Sequence, residues 1–487
     1  MQIKELFRKI PILSKNVPDE LEISSIWSDS RKVEKGSAFV CLKGMKYDGR
    51  IWIDSALENG AAVAVVEDLP EKDIPYVQVA DTRSALPTLL AEIYHHPEES
   101  FDRILAVTGT NGKTTTSFML KRIFDRTGHK TGLIGTTKYL IGDEEYKTNR
   151  FDAFLTTPDP ELFFALLSAM REKKVDTVIM EASSHALALK KLTGIHFNVA
   201  IFSNLTQDHI DFHKTMDEYL AAKKRLFFQA DTGVFNADDP HFDAITSGVP
   251  CKVLSYSALK EADFQAESPS YTEPDGVRYR FCGKDFSIPV FVGIPGKFSV
   301  YNSLAALSGA VAAGIDPEEA CRALAGMEGV KGRIEKIPVK APFSVFIDFA
   351  HTPDALENIL KTLREFTKGR LITLFGCGGD RDKTKRPIMG GIACRLSDFV
   401  IVTSDNCRSE KKEDIIRDIL EGVPEGAAHR VIVDRTEAIQ WALKFAREGD
   451  VILLAGKGHE EYEIDENGKR EYSERKIVMK EMGEMVE

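Results

Sequence analysis

The stretch Ile104-Leu105-Ala106-Val107-Thr108-Gly109-Thr110-Asn111-Gly112-Lys113-Thr114-Thr115 decides the fold of the central part of this chain. Its first half, Ile104–Val107, is a short apolar run of the kind that forms a buried parallel strand. Beyond the glycines, the apolar residues Met119, Leu120, Ile123 and Phe124 share one face of a predicted helix. Gly128 is a plausible end for that helix. The stretch therefore predicts a strand–loop–helix unit.

Such a unit is a suitable phosphate site. Backbone N–H groups at a helix start bind phosphate, a lysine ammonium reaches the terminal phosphates, and a threonine hydroxyl can ligate Mg²⁺. The usual spacing requires glycine at the position of Val107, so the match is partial. A surface turn with an incidental Gly-Lys-Thr sequence is the alternative interpretation. The strand before the loop and the helix after it favour nucleotide binding.

The overall composition is that of a globular protein of several domains. A length of 487 residues suggests about three domains, and 43% hydrophobic with 29% charged residues argues against disorder or collagen. A net charge of -11 argues against nucleic-acid or anionic membrane partners. The seven cysteines are dispersed without a CxxC pair, and the N-terminus shows no signal-peptide pattern. A cytoplasmic protein is therefore expected, with the charge-free segment 298–315 as a buried helix.

The rest of the chain has an α/β pattern. Apolar runs at Ser37–Leu42, Ala61–Glu67 and Tyr76–Val79 predict strands before the polar, proline-containing segment 95–100, where we place a domain boundary. After residue 343, four apolar runs are each followed by a loop rich in Asp, His, Gly and Arg. Because ligands bind at the carboxyl ends of strands in open α/β sheets, the four loops predict one shared site. The runs are Val345–Ile347, Leu371–Phe375, Phe399–Val402 and Val451–Leu454.

Two further motifs follow the predicted phosphate loop. Glu181 ends the predicted strand Thr177–Met180, where a carboxylate beside bound phosphate could ligate Mg²⁺, although a helix-capping acid would fit as well. The segment Asn204–His213 contains two histidines and two aspartates. A metal cluster and a hydrogen-bonded polar loop would use the same residues, and spacing alone does not decide between them.

Taken together, these motifs resemble those of the Mur ligases, in order and over nearly the whole chain. The set points to the member that adds the third residue of the peptidoglycan stem peptide. The matching segments are Gly109–Thr115, Met180–Leu187, Asn204–His213, Tyr219–Phe227, Tyr301–Asn302, Gly332–Arg333, Asp348–Asp354, Gly376–Asp382, Asp405–Arg408 and Gly456–Glu460.

The resemblance implies an α/β protein of three domains. Residues 1–98 would form a small α/β UDP-sugar-binding domain, 99–332 a central P-loop-like ATPase domain with a mostly parallel sheet, and 333–487 a Rossmann-like, doubly wound domain that binds an amino acid. The implied reaction joins a diamino acid to UDP-N-acetylmuramoyl-L-alanyl-D-glutamate through an acyl phosphate, with ATP as substrate and Mg²⁺ as cofactor. Small molecules would be the only partners, and the protein is expected to be a monomer.

The resemblance also implies the roles of residues around ATP. Catalysis would use Lys113, Glu181, His209, Asp348 and His351, and the metal would be held by Thr114, Glu181, His209 and a carbamate formed from CO₂ on Lys223. Without the family match, Lys223 or Lys224 would be taken as a solvated helix charge. The implied ATP-binding residues are Gly109, Thr110, Asn111, Gly112, Lys113, Thr114, Thr115, Asn302 and Arg333.

Two more sets concern the other substrates. Leu189 and Lys191 stand where the family often has Gln and Arg, and Lys191 lacks the bidentate fork of arginine. The implied UDP-sugar peptide contacts are Ser28, Ser30, Lys46, Tyr47, Thr156, Thr157, Ser183 and Lys191. The implied amino-acid contacts are Arg381, Asp405, Asn406, Cys407, Arg408, Gly456 and Glu460.

The amino acid is expected to be meso-diaminopimelate rather than L-lysine. Only diaminopimelate carries a distal carboxylate, and arginine binds a carboxylate through two parallel hydrogen bonds. Arg408 lies in Asp405-Asn406-Cys407-Arg408, which resembles the Asp-Asn-Pro-Arg motif of diaminopimelate-adding members, with Cys407 in place of proline. L-lysine addition, a folylpolyglutamate-synthetase-like ligase and a nucleotide-binding scaffold with a dead ligase site remain the alternatives.

Overall fold

The structure, a computed structural model, describes residues 1–44, 48–147, 155–273, 275–327 and 329–483. The chain divides into two compact units. The first comprises Met1–Phe264 and Leu304–Ala323, and the second comprises Gln265–Ser303 and Leu324–Glu487. This division into two units does not test the predicted domain boundaries after residues 98 and 332, which stay predictions.

The N-terminal part of the first unit contains a sheet in the order β1-β5-β4-β3-β2. Strands β2 to β5 run parallel to their neighbours, and β1 is antiparallel to β5. The three predicted strands are confirmed as β3, β4 and β5. The bounds are β1 Ser14–Lys15, β2 Ile26–Trp27, β3 Ser37–Val40, β4 Ala61–Val66 and β5 Tyr76–Gln78, with helices α1 Ile3–Leu6, α2 Ile53–Glu58 and α3 Thr82–Ile93.

The central sheet of the first unit follows the order β13-β12-β11-β6-β10-β7-β8-β9. Strands β13 to β7 in this order are parallel, and β8 and β9 are antiparallel additions at the edge. The strand bounds are β6 Arg103–Thr108, β7 Thr131–Ile134, β8 Tyr139–Ile141, β9 Glu144–Glu145, β10 Thr177–Glu181, β11 Phe197–Phe202, β12 Ala230–Asn236 and β13 Lys252–Ser257. The helices are α4 Lys113–Arg126, α5 Pro160–Glu172, α6 Ser184–Ala188, α7 Ile210–His213, α8 Met216–Lys224 and α9 Phe242–Thr246.

The apolar face predicted for α4 is buried. Met119, Leu120, Ile123 and Phe124 have no solvent exposure, so this face anchors the helix in the core. The helix ends at Arg126, and Gly128 follows with a φ of 91°, a conformation that glycine adopts without steric cost. The predicted strand–loop–helix unit is therefore confirmed, and it holds the phosphate loop at the carboxyl end of β6.

The second unit contains an antiparallel three-strand segment and a second parallel sheet. That sheet has the order β17-β18-β22-β19-β20-β21, and β17 alone is antiparallel to its neighbour among these described strands. The strands are β14 Phe264–Glu273, β15 Gly276–Gly283, β16 Phe286–Val292, β17 Glu335–Ile337, β18 Ser344–Asp348, β19 Leu371–Phe375, β20 Phe399–Val402, β21 His429–Val431, β22 Val451–Ala455, β23 Tyr462–Asp465 and β24 Gly468–Glu471.

Helices cover both faces of the second sheet, as the doubly wound prediction required. Leu356, Leu360 and Met389 pack on one face, and Ala438 and Ile439 pack on the other. The bounds are α12 Pro353–Arg364, α13 Lys385–Leu396, α14 Lys412–Leu420, α15 Arg435–Phe445 and α16 Glu474–Glu481.

Two further helices, α10 Lys297–Ala312 and α11 Pro317–Leu324, precede this sheet. The charge-free segment 298–315 is helical over most of its length, as predicted. Among the described residues, no helix combines the length and apolar character needed to cross a membrane.

Candidate active site

The loop between β6 and α4 has the backbone geometry of a phosphate-binding loop. Gly109 and Gly112 have φ angles of 151° and 88°, which other residues rarely adopt. A Cβ on Gly109 would lie 1.9 Å from Ser203 Oγ, so any side chain there is excluded. The Lys113 ammonium donates to the Gly109 and Thr110 carbonyls at 2.9 Å each. The Lys113 ammonium is therefore held against the loop at the start of α4.

Hydrogen bonds from the end of β11 fix this loop. The Asn111 amide N–H donates to Asn204 Oδ1 at 2.9 Å, and Asn204 Nδ2 donates back to the Asn111 carbonyl at 3.0 Å. The Thr110 N–H donates to the Asn204 carbonyl at 2.9 Å. Asn204 belongs to the segment 204–213 that the sequence singled out, and its position shows a structural role for that segment at the phosphate loop.

Glu181 lies fully buried at the carboxyl end of β10, beside α4. Its carboxylate accepts hydrogen bonds from Thr114 Oγ1 at 3.0 Å, from Thr136 Oγ1 at 2.8 Å and from the Thr136 N–H at 3.0 Å. A Cβ on Gly135 would lie 2.3 Å from Glu181 Oε1. These contacts place a buried carboxylate and a hydroxyl together at the phosphate loop.

Sequence reasoning missed Gly135 and Thr136. They lie 45 or more residues from Glu181 in the chain, at the end of the adjacent strand β7. A polar Gly-Thr-Thr sequence directly after a buried strand was the available signal, because the ends of parallel strands meet at one edge of the sheet.

Thr156, Thr157 and Ser183 form a hydroxyl cluster next to Glu181. Thr157 Oγ1 lies 2.8 Å from the Glu181 carbonyl and 3.2 Å from Ser183 Oγ, and it accepts from the Ser183 N–H at 2.9 Å. Thr156 Oγ1 is 3.0 Å from Thr136 Oγ1. The structure thus brings together three of the residues predicted to contact the UDP-sugar peptide.

Histidines surround the start of α6. The rings of His185 and His209 pack edge to face with centroids 4.7 Å apart, and His213 Nε2 lies 2.9 Å from Ser184 Oγ. His209 has a left-handed backbone with a φ of 53°, and 46% of its side chain is exposed. Of these three histidines, His209 is the most exposed and therefore the most accessible to a ligand.

Lys223 is buried near the end of α8, with 1% exposure. Its Nζ lies 4.4 Å from the centre of the Tyr219 ring, and Tyr219 OH is 3.2 Å from Thr110 Oγ1 of the phosphate loop. Burial, reinforced by the positive charge of Lys113, holds the pKa of Lys223 well below its ordinary value. The interpretation of Lys223 as a solvated helix charge is therefore wrong, whereas the neighbouring Lys224 is half-buried and bonds the Ala244 carbonyl.

Of the UDP-sugar residues predicted in the N-terminal part, Ser28 contacts helix α5. Both the N–H and the Oγ of Ser28 donate to Glu161 Oε1, at 2.9 and 2.5 Å. Ser30 is buried, and Lys191 Nζ pairs with Asp159 at 2.7 Å. Lys46 and Tyr47 lie outside the described residues. Glu161, which sequence reasoning missed, connects the Ser28 loop to α5.

In the second unit, Asp348 ends β18 and is buried. Its carboxylate accepts from the N–H groups of Ile334 and Ala350 at 2.8 and 2.9 Å, and burial raises its pKa despite the nearby Arg333. The Arg333 guanidinium lies 5.1 Å from the Phe349 ring, and His351 is exposed on the same loop. Asn302 is half-buried in α10.

The predicted amino-acid residues meet at the carboxyl ends of β20 and β22. Asn406 Nδ2 donates to Glu460 Oε2 at 2.8 Å, and a Cβ on Gly456, whose φ is 114°, would lie 2.7 Å from Asp405 Oδ2. Burial raises the pKa of Glu460. Burial acts in the same direction on Asp405, but the charges of Lys457 and Arg435 outweigh it and hold the pKa of Asp405 below its ordinary value.

Arg408 is half-buried with a left-handed backbone, φ 53°. Its Nη1 donates to the Gly379 and Asn406 carbonyls at 2.8 and 3.3 Å, and Arg408 also lines a pocket of about 260 Å³. Cys407 is buried beside it, and Arg381 is exposed on the loop after β19. The loops after β19, β20 and β22 therefore lie next to one another, and the shared site predicted for these loops and the loop after β18 stays a prediction.

Comparison with known proteins gives a consistent result. Family models match three consecutive segments: the Mur ligase family catalytic domain at residues 22–94, the Mur ligase middle domain at 107–310 and the Mur ligase glutamate ligase domain at 332–458. A UDP-N-acetylmuramoyl-L-alanyl-D-glutamate–2,6-diaminopimelate ligase of Syntrophomonas wolfei is 43% identical over 98% of both chains. The ligase of the same name from Clostridium botulinum is 41% identical over 94% of both chains.

Solved structures agree with these sequence matches. A structure of a UDP-N-acetylmuramoyl-L-alanyl-D-glutamate–2,6-diaminopimelate ligase is 30% identical, with a TM-score of 0.71 over 99% of both chains. A folylpolyglutamate synthase of Mycobacterium tuberculosis shares the fold at 17% identity and a TM-score of 0.63, but covers 77% of this chain.

Proposed function

The chain belongs to the Mur ligase family, and from this premise we propose that it joins meso-diaminopimelate to UDP-N-acetylmuramoyl-L-alanyl-D-glutamate with consumption of ATP. The observation that carries the proposal is the 43% identity to a 2,6-diaminopimelate ligase over 98% of both chains. The folylpolyglutamate alternative accounts for less of the molecule, because that fold match leaves about a quarter of the chain uncovered.

The reaction must activate a carboxylate before an amine can attack it. An oxygen of the D-glutamate γ-carboxylate bonds to the γ-phosphorus of ATP, and the bond to the ADP oxygen breaks. The amine nitrogen then bonds to the acyl carbon, phosphate leaves with its electron pair, and the nitrogen loses a proton. Since both early reactants are anions, the site must supply positive charge where they meet.

We assign the charge at the phosphates to Lys113 and the start of α4. The ammonium lies within hydrogen-bonding distance of the Gly109 and Thr110 carbonyls, so it is positioned over the loop that would hold the phosphates. Asn302, Arg333, Asp348 and His351 are assigned to the nucleotide and to the transfer step by the family resemblance.

The residues beside the loop fit a magnesium ion. Thr114 Oγ1 and a buried Glu181 carboxylate are adjacent hard oxygen donors, which Mg²⁺ prefers. Thr136 and Gly135 hold this carboxylate in place. Bound Mg²⁺ would neutralise phosphate charge, with His209 near a second ion.

We further propose that Lys223 carries a carbamate. An ammonium cannot ligate a cation, whereas a carbamate formed with CO₂ supplies anionic oxygens. The support is its burial: the side chain is 1% exposed beside the Tyr219 ring, and burial together with the charge of Lys113 disfavours an ammonium there, although the charge of Asp208 acts in the opposite direction. A neutral or modified side chain resolves that conflict.

The remaining substrates are assigned to two groups of residues. Ser28, Ser30, Lys191 and the Thr156–Thr157–Ser183 hydroxyls would bind the UDP-sugar peptide. Arg408 would bind the distal carboxylate of diaminopimelate, and Glu460 the distal ammonium, with Arg381, Asp405, Asn406, Cys407 and Gly456 forming the surrounding loops. The seven free cysteines fit a reducing cytoplasm.

The acyl-phosphate route is tested with UDP-dipeptide whose γ-carboxylate carries ¹⁸O. We expect one labelled oxygen to appear in released phosphate, and ADP release to require all three substrates. Unlabelled phosphate would refute the acyl phosphate. ADP release independent of the UDP-dipeptide would instead support a nucleotide-binding protein with a dead ligase site.

A further inference from the structure

Lys457 is a buried cation that the implied substrate contacts do not include. It lies two residues after the end of β22 and has no solvent exposure. Its Nζ donates to Asn406 Oδ1 and to the Tyr462 carbonyl at 3.0 Å each. Carboxylate oxygens of Glu460 and Asp405 lie 3.7 and 3.8 Å from the same nitrogen. A fully buried lysine is rare unless its charge is compensated, so this placement requires an explanation.

The contacts of Lys457 determine how the Asn406 amide is oriented. Asn406 Oδ1 accepts from Lys457 Nζ and from the Ile464 N–H, both at 3.0 Å, while Nδ2 donates to Glu460 Oε2 at 2.8 Å. The opposite orientation would point an NH₂ group at an ammonium and an N–H donor, and would point an oxygen at a carboxylate. Lys457 thereby orients the Asn406 amide so that its Nδ2 donates to the Glu460 carboxylate.

Charge balance around Glu460 gives Lys457 a second effect. Burial raises the pKa of Glu460, the charge of Asp405 adds to the increase, and Lys457 with hydrogen bonds from Asn406 and Tyr462 opposes it. Other charged side chains act on Asp405. Arg435 lies 4.0 Å from the Asp405 carboxylate and also pairs with Glu474, and the charge of His351 acts on Asp405 as well. Asp405 and Glu460 are the acids nearest Lys457, and a ligand ammonium beside Glu460 would add positive charge to compensate them.

We propose that Lys457 is a positioning residue for the diamino acid, holding the Asn406 amide and the Glu460 carboxylate for the distal ammonium without touching the substrate itself. This inference rests on the proposed function, because it takes Glu460 as the ammonium-binding group. It adds to that function a buried cation whose removal changes amino-acid binding in a pH-dependent way.

The test compares Lys457→Met with wild type and with Lys480→Met, an exposed lysine on α16 of the same unit. An opposite charge this close changes the proton affinity of a carboxyl group about tenfold or more, so its loss leaves Glu460 protonated over a wider range of pH. The variant-to-wild-type ratio of KM for the diamino acid should therefore rise as the pH is lowered from about 9 to about 6.5, while the ratio of KM for ATP stays level. The Lys480→Met ratios should stay near one throughout. A Lys457→Met ratio that does not change with pH would overturn the proposal.

A thermal unfolding cycle covers the case in which Lys457→Met folds poorly. Adding Glu460→Gln to Lys457→Met removes the uncompensated acid, so the double variant should melt higher than the single variant. A double variant that melts no higher would overturn the coupling. Neither melting measurement depends on turnover, so failure of wild type to use diaminopimelate would refute the proposed function separately.

Discussion

Replacing Arg408 with alanine should weaken the use of diaminopimelate selectively. In the structure Nη1 of Arg408 is used by two backbone carbonyls, at 2.8 Å to Gly379 and 3.3 Å to Asn406. These hydrogen bonds hold the guanidinium in place. A distal carboxylate would then accept hydrogen bonds from the Nε and Nη2 groups of Arg408. The glycines at 378 and 379 keep this arrangement possible, because a Cβ on Gly378 would lie 2.9 Å from Arg408 Nη1.

The size of the effect follows from the kind of bond lost. A hydrogen bond between charged groups contributes roughly 1.5–3 kcal/mol, or about ten- to a hundredfold in kcat/KM for diaminopimelate. L-lysine lacks the distal carboxylate, so its kcat/KM should change little, and ATP affinity should not change. Arg408→Lys keeps the charge but loses the two-pronged geometry and should recover only part of the loss.

The assay measures kcat/KM for both amino acids with wild type, Arg408→Ala and the control Arg417→Ala, an exposed arginine on α14 paired with Asp414. The control should behave as wild type. Equal losses for diaminopimelate and L-lysine would show that Arg408 supports the loop rather than the carboxylate. An unchanged kcat/KM for diaminopimelate in Arg408→Ala would refute the assigned role outright.

Three other substitutions test the first unit. Lys113→Ala should abolish turnover without unfolding the protein, because it removes the phosphate-binding cation; near wild-type activity with an intact circular dichroism spectrum would remove that role. Lys223→Ala should be inactive and partly rescued by short carboxylates that replace the carbamate oxygens, while Lys224→Ala stays active; full activity of Lys223→Ala in CO₂-depleted buffer would contradict the carbamate. Gly135→Ala should lower kcat by about tenfold or more. The added Cβ would lie 2.3 Å from Glu181 Oε1 and must displace a carboxylate held by three hydrogen bonds. A variant with normal kcat and normal Mg²⁺ dependence would show that Glu181 moves without consequence.

Much of the parallel-sheet core was predictable from sequence. Val345–Ile347 and Val451–Leu454 were predicted within one residue of β18 and β22, because strands buried on both faces are continuous apolar runs. The antiparallel strands β14 to β16 were not predicted. In β15 buried and exposed residues alternate over Val277–Phe281, so no continuous apolar run marks this strand.

The site was predictable where one motif carries the chemistry and unpredictable where distant residues meet. The phosphate loop and Glu181 each follow an apolar strand, and both could be located. Gly135 packs against Glu181 only because β7 and β10 are neighbours, which no local pattern shows. The burial of Lys223 beside a half-buried Lys224 is likewise a consequence of packing, since both lysines belong to one polar helical sequence.

The proposed ligase activity is best tested by mass spectrometry of the product formed from UDP-N-acetylmuramoyl-L-alanyl-D-glutamate, ATP and Mg²⁺, with meso-diaminopimelate and L-lysine offered at equal concentration. We expect one dominant product, the UDP-sugar tripeptide ending in diaminopimelate, formed together with an equal amount of ADP. A dominant lysine product would contradict the assignment of Arg408, and the absence of either tripeptide would contradict the proposed ligase activity.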